Sequence, residues 1–301
     1  MLVAGDDVIT SDRTSLPGRH ELDIVVPARG LAVEFNGVYW HSEISGKPAD
    51  YHAEKSNMAT SAGYQLLHIW EDDWVSRREI AIRAVAHKLH ALDRLPVVLP
   101  DANPKIAERV FARSLNPGES SGTEASRFLD SNHIQGAVVA TRHFVLRDAD
   151  QEIRALLSIR SPRNNARANR APGDWEIQRY ATCGLVVGGF TRLLKVAEQQ
   201  LRSENTELHR WVSFSANDIS DGGMYASAGF EAEAIIPPDY KYVGNSTGWR
   251  RLPKEGFQRK RFSTDPNLTW DESWTERIAA EQNGLHRVYD AGKTRWVKTV
   301  T

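Results

Sequence analysis

The residues best placed to do chemistry sit near the start of the chain. Residues 20–26 read as one strand and 31–35 as a second, across the turn Pro27-Ala28-Arg29-Gly30. Folded on that turn, Ile24 meets Val33, Asp23 meets Glu34 and Glu21 meets Asn36. Alternation puts Glu21, Asp23, Glu34 and Asn36 on one face and Leu22, Ile24, Val33 and Phe35 on the other. Like charges about 5 Å apart across a ladder repel. Facing carboxylates therefore call for a counter-charge, which an oxygen-seeking ion such as Mg²⁺ supplies, with Mn²⁺ as a substitute. The competing reading is a solvent-facing hairpin with incidental acids, although only Arg19 and Arg29 lie nearby. His41 follows the second strand closely enough to swing over the acids. His52 and Lys55 share one side of a predicted helix. A metal flanked by His and Lys suits phosphodiester hydrolysis: the ion polarises the phosphate and generates hydroxide, and the side chains steady charge or move a proton.

These groups need a scaffold. A helix over 51–62 stops at Gly63, a strand covers 64–70, and a second helix covers 76–92 with Ile82, Val85, Leu89 and Leu92 at helical spacing. Pro96, Pro100 and Pro104 mark 93–104 as a linker. The expected division is 1–92, the linker, 105–262 and a tail module at 263–301. In the second half a helix ends at 125–132, strands cover 137–146 and 153–159, and an Arg/Asn-rich loop covers 162–173. A strand at 176–180, a helix at 190–201, a strand at 211–214 and a short helix at 225–229 follow. The fold class is mixed α/β with α+β character.

Four runs carry a resemblance. Glu21-Leu22-Asp23-Ile24-Val25-Val26-Pro27, then Ala32-Val33-Glu34-Phe35-Asn36-Gly37-Val38-Tyr39-Trp40-His41-Ser42-Glu43, then Tyr51-His52-Ala53-Glu54-Lys55, then Leu66-Leu67-His68-Ile69-Trp70-Glu71-Asp72-Asp73-Trp74 resemble the very-short-patch-repair-like nucleases of the PD-(D/E)XK superfamily. The runs are similar more narrowly to phage homing endonucleases with that domain. The resemblance implies a restriction-endonuclease-like core and a site-specific, metal-dependent DNA endonuclease, with a lesion-directed nicking nuclease as the alternative. It implies Asp23 and Glu34 as metal ligands and His41, His52 and Lys55 as catalytic groups, with Asn36 where many relatives have lysine and Glu21 as a further acid. It also implies a bacterial host cytoplasm, double-stranded DNA as partner, a homodimer on DNA and no small-molecule cofactor. The relatives' cysteine/histidine zinc cluster has no counterpart, since Cys183 is the one cysteine.

The second half resembles the acetyltransferase (GNAT) superfamily through its strand order, the Gly188-Gly189 loop before a helix, and Tyr225-Ala226-Ser227-Ala228-Gly229-Phe230. Leu185 and Phe190 depart from that family's acetyl-CoA motif, so N-acetyl transfer is the lesser expectation. DNA contact is the favoured use, through Arg160, Arg163, Arg167 and Arg170, and through Lys241, Arg250, Arg251, Arg259, Lys260 and Arg261 with interleaved aromatics. The tail at 263–301 is expected to extend that footprint.

Charge agrees with a divided chain. The 301 residues carry 38 Lys/Arg and 39 Asp/Glu, which argues against a histone-like polycation. Residues 1–104 hold 10 basic and 15 acidic groups, a net of −5, and the remainder is at +4. A single cysteine excludes an intrachain disulfide framework and a four-cysteine zinc site. No run reaches the ~18 apolar residues of a membrane helix, and the first residues lack a signal peptide's pattern.

Overall fold

A proline and a glycine decide the first hairpin. Pro27–Arg29 forms a single 3-10 turn, and Gly30 takes the left-handed conformation (φ 55°) that closes it. The turn joins β2 (Leu22–Val26) to β3 (Leu31–Asn36), and the ladder runs Ile24↔Val33, Val25↔Ala32 and Val26↔Leu31, the register the sequence predicts. The computed structural model describes residues 7–161 and 172–300. In it β1 (Ile9–Asp12) pairs with β2, and β4 (Gln65–Trp70) runs parallel to β3, giving a sheet in the order β1-β2-β3-β4. A parallel pair needs a crossover, and α1 (Tyr51–Ser61) provides it. The α1 face of the sheet buries Val25, Ala32 and Leu66 against Ala59. The other face buries Val26, Leu31 and Leu67 under Leu89 and Ala91, at the end of α2 (Glu71–Lys88). This helix begins five residues earlier than predicted, because Glu71, Asp72 and Asp73 form an acidic first turn that its dipole favours.

The proline-rich stretch is more than a tether. It holds α3 (Leu95–Val98) and a 3-10 turn at Pro104–Ala107, and it buries Leu95 and Ile106 with Ile82, Ala86 and Cys183. Beyond it lie β5 (Arg109–Phe111), β6 (Asn116–Glu119), α4 (Gly122–Asn132), β7 (Arg142–Arg147), β8 (Ile153–Arg160), β9 (Asp174–Thr182) and β10 (Leu185–Val187). Then come α5 (Gly189–Ser203), β11 (Arg210–Ala216), α6 (Gly223–Ser227) and β12 (Glu231–Ile236). An excursion follows: β13 (Tyr240–Val243), β14 (Leu252–Pro253), α7 (Arg259–Thr264), α8 (Glu276–Gln282) and β15 (His286–Tyr289). The chain then returns as β16 (Lys293–Thr299).

The main sheet has the order β12-β16-β11-β9-β8-β7-β6, with β9 and β11 its one parallel pair. The amphipathic α5 covers one face, burying Phe190, Leu193, Leu194 and Leu201 against Phe144, Leu157, Trp175 and Trp211. On the other face Ala125 and Leu129 of α4 pack on Val145, Leu156 and Ala181. The expected tail module is thus divided: α8 and β15 belong to the excursion, built around Tyr242, Phe257, Phe262 and Leu285, and β16 lies inside the main sheet. Trp296, buried on β16 beside Tyr225, drives that insertion.

The excursion clasps the first sheet. Arg251 bonds Asp72 at 2.8 Å and Asp73 at 2.5 Å and stacks over the Trp70 ring at 4.4 Å. The Arg287 amide donates to Glu43 at 3.0 Å, and Val38 and Trp70 pack on Val243 and Val288. The fold is mixed α/β. Among the described residues no helix is long and apolar enough to cross a membrane.

Candidate active site

The acidic face of the hairpin is closed. Glu34 is 4% exposed beneath α1, and one of its oxygens receives the Lys55 ammonium. Burial raises the Glu34 pKa, and Lys55 opposes that rise. Asp23 is only partly covered, and its carboxylate accepts the Phe35 amide at 2.7 Å, standing in for a backbone acceptor where the ladder ends. Glu21 pairs with Arg13 at 2.6 Å. The counter-charge is therefore a lysine, reached because α1 crosses the face that the hairpin pattern left open. Among the described residues no group of three or more His, Cys, Asp or Glu is arranged to hold a metal ion.

The histidines do converge. His41 Nδ1 lies 2.9 Å from His52 Nε2, with the rings 5.2 Å apart and nearly parallel. His68 bonds Asn36 at 3.1 Å and Ser56 at 2.9 Å. Burial pushes all three imidazoles down, His41 to about 4, His52 to about 2 and His68 to about 3. They are neutral at pH 7, so each ring has one donor and one acceptor nitrogen: His68 Nδ1 accepts from the Asn36 side-chain amide and Nε2 donates to Ser56. The hairpin acids, Asn36, His41, His52 and Lys55 form one cluster from which only Glu21 stands apart.

The cationic positions scatter. Arg163, Arg167 and Arg170 fall outside the described residues. Arg160 donates to the Val139 carbonyl at 2.7 Å. Arg251 is the clasp to α2. Arg259 pairs with Glu272 at 3.0 Å, Arg261 lies 3.6 Å from Asp265, and Lys260 is exposed. Lys241 and Arg250 instead line a cavity.

That cavity, about 790 Å³, is where the two halves meet. The parallel pair β9/β11 holds from Asp174↔Arg210 to Ile177↔Ser213, and no further. Past that point the strands separate, and Gln178, Arg179 and Tyr180 face Phe214, Ser215 and Ala216 across open space. A β-bulge in β9 at Gln178, opposite the Ser158–Ile159 step of β8, lies at the same level. Tyr225 lies at one side, 8% exposed, with its hydroxyl 2.8 Å from Ser213 Oγ. Burial raises its pKa, so it stays a phenol. Ser213 also lies 3.2 Å from the Ile177 carbonyl. Glu176, 8% exposed, lines the other side with Arg77 of α2.

The N-terminus of α5 opens nearby. Gly188 caps it in the left-handed conformation (φ 74°). A Cβ on Gly189 would fall 2.5 Å from the Tyr180 hydroxyl, so glycine is required there. The Tyr180 oxygen accepts the Phe190 amide. Phe190 itself is buried in the core, which explains why a large residue stands where a small one was expected. Glu176, Arg77 and the split after Ile177 escaped the sequence reading, which has no signal for where a parallel pair parts.

No protein-family model and no curated protein matches the chain. Similar solved structures include a Bacillus subtilis acetyltransferase in complex with CoA, at 12% identity and TM-score 0.34, covering 62% of this chain and 98% of that one. An Escherichia coli ribosomal-protein-S18-alanine N-acetyltransferase matches at 10% and 0.34, covering 62% and 94%. A Vibrio cholerae spermidine/spermine N-acetyltransferase matches at 13% and 0.33, with the same coverage. The geometry of the hairpin overturns the expected metal-dependent phosphodiester hydrolase, since no group of three or more His, Cys, Asp or Glu is arranged for an ion among the described residues. The acids meant for an ion are held by Lys55 and the Phe35 amide. The homing and lesion-directed endonuclease readings, the phage nuclease family, Mg²⁺ or Mn²⁺, double-stranded DNA and a homodimer on it are corrected together. The expected absence of a small-molecule cofactor is withdrawn as well; CoA or acetyl-CoA is bound in two of the similar structures.

Proposed function

We propose that the chain transfers an acyl group from a CoA thioester to an amine. The observation that carries this reading is the split between β9 and β11, a slot flanked by a buried phenol and by a helix N-terminus. An amine attacking a thioester carbonyl forms a C–N bond, and collapse of the tetrahedral adduct breaks the C–S bond. The nitrogen must lose a proton and the departing sulfur must gain one. Glu176 is the carboxylate at the slot that can take the first. Tyr225 can supply the second: if Ser213 donates to the phenol oxygen, the phenol's own proton is left for the sulfur. The α5 N-terminus offers the Gly189 and Thr191 amides to phosphate oxygens. Such an enzyme would work in the cytoplasm, where acyl-CoA thioesters are made.

Calorimetric titration with acetyl-CoA, followed by thiol-release assays with an amine panel, tests the proposal. Saturable binding is expected. In Tyr225→Phe the turnover should fall about 100-fold or more at unchanged acetyl-CoA affinity. No binding, together with no amine-dependent thiol release, would remove the reading.

A further inference from the structure

The larger cavity is lined by six cationic side chains, Arg77, Arg179, Lys241, Arg250, Arg251 and Lys293, and by three carboxylates, Asp72, Asp73 and Glu176. Beside the split the cavity is walled by the first turn of α2 and by the excursion, and it adjoins a smaller space of about 220 Å³ that shares Asp73, Lys241 and Arg251. Five of the acids along these walls are engaged. Asp72 and Asp73 clamp Arg251. Asp218 accepts the Ala291 amide at 2.6 Å and the Trp70 indole at 3.2 Å. Asp239 pairs with Lys254, and Asp290 accepts the Asp239 amide at 2.8 Å.

The cations are not matched in the same way. Among the described residues Lys241 and Arg250 have no carboxylate within ion-pair distance, although both line the larger cavity. The Arg179 guanidinium bonds only to carbonyls, of Gly136 at 3.4 Å and Gln178 at 2.7 Å. Lys241 is exposed on β13, whose backbone is paired on both sides, Lys241 opposite Pro253 and Val288. Crowding by surrounding atoms and then the adjacent Arg251 hold its ammonium down in pKa although the residue is exposed, and an incoming anion would oppose that shift.

We infer that the acceptor amine carries an anionic group, a carboxylate or a phosphate, which Lys241 and Arg250 hold at the wall facing the split. The inference rests on the acyl-transfer reading for the reaction, but the anion site can be tested without it. The amine would point toward Glu176 and the slot, and the anion would remain on the excursion side.

Two measurements on the full chain decide it. The first titrates glutarate and inorganic phosphate separately, and reads thermal shift and heat. Saturable binding of one or both is expected, weakened roughly 10- to 100-fold in Lys241→Gln and Arg250→Gln, and the preferred ion tells carboxylate from phosphate. Absence of binding, or binding indifferent to both substitutions, overturns the inference even where acetyl-CoA binds. The second compares ethanolamine, phosphoethanolamine, β-alanine and putrescine as acceptors. An anionic acceptor should lead in kcat/KM, and the substitutions should erase its advantage through KM while acetyl-CoA affinity holds. Preference for putrescine or ethanolamine overturns it. Anion binding without any acetyl-CoA binding would leave the site standing and remove the acyl-transfer reading alone.

Discussion

Removing the Lys55 charge should cost the protein far more than a surface ion pair would. Both side chains of the Lys55–Glu34 pair are 5% exposed, so Lys55→Met leaves a carboxylate buried without its counter-ion, with Asp23 adding repulsion. Breaking one side of a buried pair typically costs about 3–5 kcal/mol, whereas replacing both partners with apolar groups is often neutral or stabilising. Lys55→Met should therefore lower Tm by roughly 6–20 °C, and Glu34→Leu/Lys55→Met should recover most of that loss. The deficit should also depend on pH with a definite sign. The folded Glu34 pKa already lies above the ordinary carboxylate value, and loss of Lys55 raises it further. A raised folded pKa favours the folded state at low pH, and that advantage disappears as pH climbs through it. Urea denaturation followed by tryptophan fluorescence should thus show a larger deficit at pH 8 than at pH 5. A single variant within about 1 kcal/mol of wild type at pH 8, or a double variant as unstable as the single one, would refute the reasoning.

The buried histidines give an acid limb of their own. His52 and His68 titrate near 2 and 3 when folded and near 6.5 when unfolded, so the unfolded chain takes up protons first and stability falls as pH drops below about 6.5. Each should cost on the order of 2 kcal/mol by pH 5, and a urea midpoint that stays flat between pH 7 and pH 5 would contradict the assignment. Arg251→Ala should strand Asp72 and Asp73, which are 13% and 23% exposed, at a cost of roughly 3 kcal/mol or more. Hydrogen exchange should then quicken in β13 and the first turn of α2, and unchanged protection in both would count against the clasp.

Local rules made the hairpin legible. Pro27 and Gly30 set the turn, the turn set the register, and the register holds from Val26↔Leu31 to Ile24↔Val33, where the ladder ends short of Asp23. What covers a face is a different kind of fact. It depends on where α1 returns, and the alternation of Val25, Ala32, Glu34 and Asn36 does not say whether a helix or an ion lies above them. The second half divides the same way. The amphipathic pattern of residues 190–201 located α5 within two residues at each end, and 153–159 located β8. The strand Lys293–Thr299 could not be placed, because its alternation of Lys, Arg and Thr with Trp296 and Val297 reads as a half-exposed hairpin. Only its pairing with Ala216 and Ile236, distant in sequence, makes it a central strand. Phe190 is read differently in sequence and in structure. Read as a motif it argued against a ligand loop, yet its side chain belongs to the core and leaves the helix N-terminus to the backbone.

The divided charge that first suggested an ion and a nucleic acid has a nearer explanation. The net of −5 over residues 1–104 and +4 over the rest is settled in part inside the molecule: Arg251 meets Asp72 and Asp73, and Arg277 approaches Glu43 at 3.7 Å. Lys88 of the acidic half reaches Asp221 of the basic half at 3.2 Å, so the traffic runs in both directions. Opposite net charges on two packed bodies are complementary whether or not a polyanion ever arrives. A cluster of arginines and lysines in a sequence thus points to a ligand only at those positions the fold leaves unmatched. Arg251, Arg259 and Arg261 fail that criterion, because each has its carboxylate. Lys241 and Arg250 meet it, and they do so beside the single opening between the parallel strands of the main sheet, which is why the ligand sought for them is a small anion at that opening.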